Sequence, residues 1–275
     1  MWIFNLIFGK IFEFIFLPFR NMNPWVGMIL ISFLTALFLL FIFRWTSNQK
    51  GIKQVKDKIK AHLLELRLFK DNLRLSFKSQ ANILRYNLKY IGYSIKPLLI
   101  MIIPLILILT QLNLWFGYDS LSPGQKFILK VKLKDNYPPS NIDISINTSP
   151  GLETETMPLR VKEEGEVDWR LSAAEKGFHD VMVNVNGKIV TKEVAVGQKP
   201  LIKISPLKTR PSFIQEILNP GEPPIPANLP IKTIEVSYPS HHMNLFGLQI
   251  HWIIIYFALS IIFGFAFKGV FKVEI

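Results

Sequence analysis

The sequence predicts an α-helical membrane protein with three transmembrane helices and a cytoplasmic helical hairpin, joined to an extracytoplasmic all-β sandwich. Three runs without Asp, Glu, Lys or Arg, at 24–43, 97–117 and 245–267, can each cross a ~30 Å hydrocarbon core at ~1.5 Å per residue. The segment between the first two runs is strongly basic. After the second run, short segments alternate between apolar and polar residues, which is typical of strands.

Composition and charge agree with a membrane protein. Of the 275 residues, 49% are hydrophobic. The net charge is +12, but Arg44–Lys96 alone carries thirteen Lys and Arg against three Asp and Glu, whereas Tyr118–Phe246 carries fifteen of each. This concentration of charge favours a membrane surface over nucleic acid, with ribosomal RNA kept as one alternative. The absence of cysteine excludes disulfides and thiolate chemistry.

The same charges predict an orientation. Short loops rich in Lys and Arg stay on the cytoplasmic side of a membrane, so segment 44–96 is expected in the cytoplasm and the N-terminus outside. Lys268 and Lys272 follow the third run and place the tail, 268–275, in the cytoplasm. We therefore expect a multi-pass integral protein, in a bacterial plasma membrane.

Residues 1–20 are predicted to form an interfacial amphipathic helix. Asn5, Gly9 or Lys10, and Glu13 recur at steps of three and four and form one narrow polar stripe. A signal peptide is disfavoured because Glu13 interrupts the apolar region and no cleavage site follows. A full span is disfavoured because the apolar segment is too short before Pro18.

Segment 44–96 is predicted to be a basic coiled-coil hairpin, with a solvated linker as the alternative. Its first arm has an apolar seam that steps by three and four, and Asp71-Asn72 is a plausible break. The seam comprises Ile52, Val55, Ile59, Leu63, Leu66, Phe69 and Leu73. The residues expected to face it from the second arm are Leu73, Phe77, Ile83, Leu84, Leu88 and Ile91. Five lysines are expected to provide electrostatic docking: Lys50, Lys53, Lys56, Lys58 and Lys60.

The predicted spans carry a few polar residues. Ser32 and Thr35 lie in the first span, where such hydroxyls usually bond to their own backbone or a neighbouring helix. Gln111 lies near the outer end of the second, where it either needs a polar partner or sits at the interface. In the third, Ser260 and Gly264 form a small-xxx-small pair suited to close helix packing.

Region 121–204 is predicted to be an immunoglobulin-like sandwich acting as a contact or spacer module. Asn186-Gly187 between two alternating runs predicts a hairpin. The predicted strands are Lys126–Lys134, Ile142–Ile146, Leu159–Val161, Val167–Leu171, Val181–Val185 and Ile189–Val196. Region 205–244 is proline-rich and is predicted to be an extended strap with one short helix, Ser212–Leu218.

No residue pattern indicates catalysis, a cofactor or a metal. His241, His242 and His251 have no carboxylate nearby in sequence. No nucleophile elbow and no glycine-rich phosphate loop is present. We therefore expect no enzyme activity and no small-molecule substrate.

Residues 1–117 resemble the common core of the YidC/Oxa/Alb membrane insertases. The similarity lies in the order of an interfacial helix, a turn and first span (NMNPWVGMILISF), a basic hairpin (RWTSNQKGIKQVKDKIKAHLLEL) and a Pro-headed span. It is greatest to the minimal three-span members, the archaeal insertase-like proteins and the homologues in eukaryotic ER complexes.

The resemblance implies a groove, open to the cytoplasm and to lipid, that lowers the cost of desolvating a client's polar segment. Ser32, Thr35 and Gln111 are the groove candidates, with Thr35 where YidC carries an arginine. The sandwich is an addition and suggests an extracytoplasmic partner. The implied partners are the lipid bilayer, nascent or partner membrane proteins and the ribosome.

Two functions remain at this point. The first is an insertase-like protein that assists insertion or assembly of membrane proteins. The second is a non-catalytic scaffold that docks partners through the sandwich and the hairpin. A solute transporter is disfavoured because three unlike spans offer no inverted repeat.

Overall fold

The computed structural model describes residues 2–197 and 200–274. Four residues lie outside this range: Met1 of the predicted interfacial helix, Gln198 and Lys199 of the predicted sandwich, and Ile275 of the predicted tail. The α-helices of the described residues are α1 (Trp2–Phe16), α2 (Pro24–Thr46), α3 (Gln49–Leu68), α4 (Leu73–Phe116), α5 (Phe213–Leu218) and α6 (Trp252–Phe267).

The chain divides into two compact units. The sandwich unit comprises Met1–Gly27 and Leu107–Trp252, and the helical unit comprises Met28–Ile106 and Ile253–Ile275. The boundaries fall inside α2 and α4 and at the start of α6.

Helices α2 and α4 are long and apolar enough to cross a membrane. Helix α6 is equally apolar but has only 16 residues, or about 24 Å at ~1.5 Å per residue. Its start corrects the predicted span 245–267, because the residues before Trp252 form a β-hairpin. Strands β10 (His242–Leu245) and β11 (Leu248–His251) pair antiparallel.

The turn of this hairpin explains the correction. Phe246 has φ of 51° and Gly247 has φ of 89°, the two positive values that a type I′ turn requires. The Gly247 N–H also donates to Asn244 Oδ1 at 2.9 Å. Because this segment carries no Asp, Glu, Lys or Arg, hydropathy alone cannot separate it from the following helix.

Helix α4 joins two predicted elements in one. The second arm of the hairpin and the predicted span 97–117 form a continuous helix of 44 residues, with Pro97 and Pro104 inside it. Between α3 and α4 the chain breaks at residues 69–72, which include the predicted Asp71-Asn72 break. Asn72 Oδ1 accepts from the Leu75 N–H at 3.1 Å and caps the new helix.

The other strands form two antiparallel sheets of a β-sandwich. They are β1 (Lys126–Leu133), β2 (Ile144–Thr148), β3 (Leu152–Thr154), β4 (Leu159–Val161), β5 (Glu166–Ala173), β6 (Gly177–Val185), β7 (Lys188–Val196), β8 (Leu207–Thr209) and β9 (Ile231–Val236). One sheet has the order β3-β5-β1-β9-β8, with β4 also paired to β5, and the other has the order β2-β6-β7.

This order follows the immunoglobulin arrangement, with one substitution. Strands β2-β6-β7 correspond to C-F-G, and β3/β4, β5 and β1 correspond to D, E and B. The position of strand A is taken by β9, which pairs with β1. The predicted strap is therefore corrected, because two of its segments, β8 and β9, belong to the sheet.

Inward-facing residues of both sheets form the sandwich core. Along β1, alternate residues are buried, as the pattern KFILKVKLK predicts. Trp169 of β5 is buried in the same core. The hairpin of β6 and β7 turns at Asn186 and Gly187, whose φ values of 50° and 79° fit a type I′ turn.

Candidate functional sites in the two units

The helical unit contains a cavity of 280 Å³ between three of its helices. We call it the groove. Residues from α2, α4 and α6 line it: Ala36, Leu39, Leu40, Phe43, Met101, Leu105, Tyr256, Phe257, Ser260, Ile261 and Gly264. All but two of these side chains lack a hydrogen-bonding group, so the groove suits an apolar occupant.

Small residues keep the groove open. Nothing lies within 4 Å of the place where a Cβ on Gly264 would point, and Ala36, which also lines the groove, has only a methyl side chain. The pair Ser260 and Gly264, predicted to allow close helix packing, therefore lines a cavity instead. Phe33 holds the helices together with edge-on ring contacts to Phe263 and Phe267, both at 5.4 Å between ring centroids.

The polar atoms in the groove are two hydroxyl groups. The Thr35 and Ser260 side chains approach the Tyr256 hydroxyl. Within the described residues, however, no hydrogen bond of good geometry is made by the Tyr256 or Ser260 hydroxyl. Buried hydroxyls normally have a partner, so these groups can offer a polar contact to whatever enters the groove.

The three predicted groove residues do not line this cavity. Ser32 and Thr35 are buried in the helical unit, but neither borders the groove. Gln111 belongs to the sandwich unit, where its buried side chain lies beside Gly9 of α1. The sequence does not indicate that Tyr256 and Ser260 border the groove, because the face that an apolar helix presents to a cavity depends on the neighbouring helices.

Three contacts define the hairpin of α3 with the first half of α4. Tyr93 lies against Gly51, His62 stacks on Tyr86 at 5.6 Å, and Ser79 Oγ donates to Glu65 Oε2 at 2.8 Å. As the residue numbers rise on α3 they fall on α4, so the arms are antiparallel. His62 also contacts Glu65, with 2.7 Å between Nδ1 and Oε2.

The predicted apolar seam is only partly correct. Ile52 and Val55 of α3 are buried. The contacts from α4, however, come from a polar and aromatic stripe that comprises Ser79, Tyr86 and Tyr93. Seven of the predicted seam residues are exposed instead: Leu63, Phe69, Leu73, Phe77, Leu84, Leu88 and Ile91. On α4, Tyr86 and Tyr93 pack against α3, and Ser79 bonds to Glu65, so the opposite, apolar face of α4 stays uncovered.

The five predicted docking lysines separate into two groups. Lys50, Lys53 and Lys56 line a second cavity of the helical unit, of 510 Å³. Lys58 and Lys60, two to four residues farther along α3, do not border it. The other lining residues are Gln49, Lys268, Gly269, Lys272, Val273 and Glu274.

In the sandwich unit, α1 turns its polar stripe inward. Asn5 is buried and its Nδ2 donates to the Glu216 carbonyl at 2.5 Å, and Glu13 lies 3.7 Å from Lys203 Nζ. The apolar residues Ile7, Ile11 and Phe14 are exposed. A helix on the surface of a domain in water would expose its polar stripe and bury its apolar residues. The exposed apolar face of α1 therefore suits lipid.

The predicted histidines lie around the β10–β11 hairpin. His241 Nδ1 lies 2.6 Å from Asp119 Oδ1, a carboxylate 122 positions away in sequence. His242 and His251 pair across the hairpin, with ring centroids 6.1 Å apart. Within residues 2–197 and 200–274, no group of three or more His, Asp and Glu is placed to hold a metal.

Comparison with known proteins leaves the family of this chain undetermined. No protein-family model and no curated protein matches it. A solved structure that matches is titled "Crystal structure of the S-layer protein SbsC domains 4 and 5", with 17% identity and a TM-score of 0.24. The match covers 29% of this chain and 47% of that one. At such a TM-score the similarity supports no conclusion about fold or function.

Proposed function

We propose that this chain is a multi-pass membrane protein that assists the insertion or assembly of other membrane proteins. In this proposal α2, α4 and α6 cross the bilayer, and the groove receives a segment of the client. The hairpin of α3 and α4 lies in the cytoplasm. The proposal is consistent with the resemblance of residues 1–117 to the minimal insertases.

The position of the groove along its helices carries the proposal. On α2 the groove residues lie between Ala36 and Phe43, near the end that leads into the hairpin. On α4 they are Met101 and Leu105, close after Lys96, the last charged residue of the hairpin. If the hairpin is cytoplasmic, the groove lies in the cytoplasmic half of the membrane, where a client would enter.

The groove has the chemistry for transient contact with a client. Its apolar lining matches the side chains of a transmembrane segment, and the Tyr256 and Ser260 hydroxyls can pair with a polar backbone or side-chain group. Each polar group that stays unpaired in hydrocarbon costs several kcal/mol, on the order of 4–8 in alkane transfer. A pair of hydroxyls therefore lowers the insertion barrier without trapping the client.

The hairpin would provide the first contact. It combines exposed Lys58 and Lys60 with the exposed apolar residues Leu84 and Leu88. Lysines attract the ribosome, acidic partners or an anionic membrane surface, and the apolar face can hold a hydrophobic segment.

One observation favours the scaffold alternative. Ser32 and Thr35 are buried between helices and do not border the groove, as expected for spans that pack in a fixed complex. In this alternative, a permanent membrane partner fills the groove. The sandwich and hairpin then bind further partners.

Photocrosslinking during translation separates the two functions. We would place a photoreactive amino acid at Leu39 or Met101 in the groove and, as matched controls on the same helices, at Phe41 or Ile103. The control side chains are exposed outside the groove. Adducts with several nascent membrane proteins at the groove positions only, lost when translation is blocked, support the insertase proposal. One fixed, full-length partner at those positions would replace it with the scaffold.

A further inference from the structure

The 510 Å³ cavity beside α3 has an unusual charge. Five lysines line it, three from the first turns of α3 (Lys50, Lys53 and Lys56) and two that follow α6 (Lys268 and Lys272). Among the described residues, the lining contains a single acidic side chain, Glu274. We call this cavity the basic basin. Five ammonium groups this close repel each other unless an anion lies among them.

Glu274 supplies one negative charge. Its Oε2 lies 3.0 Å from Lys56 Nζ, and its backbone N–H donates to Gln49 Oε1 at 2.7 Å. The hydrogen bond from Lys56 lowers the pKa of the Glu274 carboxyl, and the charges of Lys53 and Lys60 lower it further. A carboxylate thus lies among the lysines, where their positive charges stabilise an anion.

The chain after α6 is folded to bring these groups together. Lys272 has φ of 50°, and the Val273 N–H donates to the Lys268 carbonyl at 2.9 Å, so the chain reverses immediately after the helix. Val273 is buried and holds the reversed segment in place. The basin is therefore a built feature of the helical unit.

We propose that the basic basin binds the phosphate headgroup of an anionic phospholipid, and that Glu274 holds the headgroup site when no lipid is bound. The lysines surround the phosphate, and the lipid displaces the carboxylate from Lys56. The inference rests on the membrane location in the proposed function but does not depend on client insertion.

The position of the basic basin favours a lipid over a soluble anion. It lies at the end of two apolar helices, since α2 ends at Thr46 and α6 ends at Phe267. Trp45, in the last turn of α2, is 78% exposed, as in the aromatic belts at membrane interfaces. Phospholipid phosphates occupy this level of a bilayer, and each lysine near an anionic surface adds about 1 kcal/mol of attraction.

Native mass spectrometry of the full chain in detergent tests the proposal. The chain is titrated with phosphatidylglycerol, with phosphatidylcholine and with inorganic phosphate. We expect one phosphatidylglycerol to bind more tightly than phosphatidylcholine, and the double variant Lys53→Gln/Lys272→Gln to weaken it about 10- to 30-fold. The matched control Lys58→Gln/Lys70→Gln removes the same charge from exposed lysines outside the basin and is expected to change affinity less than about twofold.

Glu274→Gln gives an independent readout, because it removes the competing carboxylate without removing a lysine. We expect phosphatidylglycerol to bind more tightly to this variant. Equal weakening by both lysine pairs, unchanged or weaker binding to Glu274→Gln, or inorganic phosphate binding as tightly as the lipid would each overturn the proposal. Photocrosslinking at Leu39 tests the insertase function separately, so the two proposals fail by different measurements.

Discussion

Lys192 donates a hydrogen bond to the Glu222 carboxylate inside the sandwich unit, and the Lys192 side chain is completely buried. Lys192 lies on the inward face of β7, between Val190 and Val194. It also donates to the Ser205 carbonyl at 2.5 Å. Glu222 serves a second cation as well, because its other carboxylate oxygen lies 3.6 Å from Lys208 Nζ.

This arrangement predicts unequal effects of removing each partner. Glu222→Gln removes the carboxylate that the buried ammonium groups of Lys192 and Lys208 share, so we expect the sandwich to lose about 3–5 kcal/mol. Lys192→Met should cost less, because Glu222 keeps Lys208. Native-state hydrogen exchange of β6 and β7 amides in the full chain measures both, with the exposed Glu163→Gln as control. Equal losses would contradict the shared role of Glu222.

Two acids on β5 predict a pH dependence of the sandwich. Burial raises the pKa of the Glu166 carboxyl, and the neighbouring Asp168 carboxylate raises it further. Burial also raises the pKa of Asp168 itself, against the opposing charge of Lys130. Both acids therefore hold protons in the folded state at a pH where the unfolded chain has released them.

The sign follows from this difference. Stability from protonated Glu166 and Asp168 is fully present below their ordinary pKa values of 4.5 and 3.8 and is lost as the pH rises through the raised values. Glu166→Gln should flatten this dependence and raise the unfolding temperature at neutral pH. Calorimetry of the full chain in detergent, with the exposed Glu163→Gln as control, checks this. An unfolding temperature that falls equally with rising pH in Glu166→Gln and in Glu163→Gln would count against it.

Glu65 predicts a pH-sensitive hairpin. The hydrogen bonds from His62 and Ser79 lower the pKa of its carboxyl, so the contact is present above the ordinary pKa of 4.5 and is lost as the pH falls through the lowered value. Glu65→Gln should loosen the arms already at neutral pH. Because the chain has no cysteine, spin labels on Arg67→Cys and Lys78→Cys report the distance without background.

We expect a broader distance distribution in Glu65→Gln than in the matched control Asp57→Asn, an exposed acid on the same helix. A wild-type distribution that stays narrow on acidification would show that other contacts hold the arms together.

Gly51 and Gly92 form a matched pair for the base of the hairpin. A Cβ on Gly51 would lie 3.0 Å from the Tyr93 ring and 2.9 Å from Asn48 Nδ2, whereas a Cβ on Gly92 would have nothing within 4 Å. Gly51→Ala should therefore destabilise the hairpin by about 1–3 kcal/mol through overpacking. Gly92→Ala should stabilise α4 by about 0.5–1 kcal/mol. Hydrogen exchange of α3 amides measures both, and the same sign for the two variants would refute the close approach of Tyr93.

Local patterns predicted much of the fold. The uncharged run at Pro24 predicts α2 because every turn of that helix is apolar. Asn186-Gly187 predicts the β6–β7 hairpin because Asn and Gly accept the positive φ values that a type I′ turn needs. The six alternating segments predict strands because their spacing of two matches the pleat of a sheet.

The structures of the strap and of the hairpin seam could not be predicted from local patterns alone. Strand β9 follows a proline-rich segment, and only its pairing with β1 makes it part of the sandwich. The seam of the hairpin could be drawn through either of two stripes on α4, and the contacts of Tyr86, Tyr93 and Glu65 select the polar and aromatic one.

For the candidate site too, some features follow from the sequence and others only from the tertiary structure. The sequence by itself determined that the chain has apolar helices, a basic segment and a strand-rich region, because hydropathy, charge and alternation are properties of neighbouring residues. Only the tertiary structure decided that Tyr256 and Ser260, and not Ser32 and Thr35, border the groove. It also decided that Glu274 lies against Lys56, 218 positions away. Which face of a helix meets a cavity, and which distant charge meets a lysine, depends on how the helices pack, and no stretch of sequence records that packing.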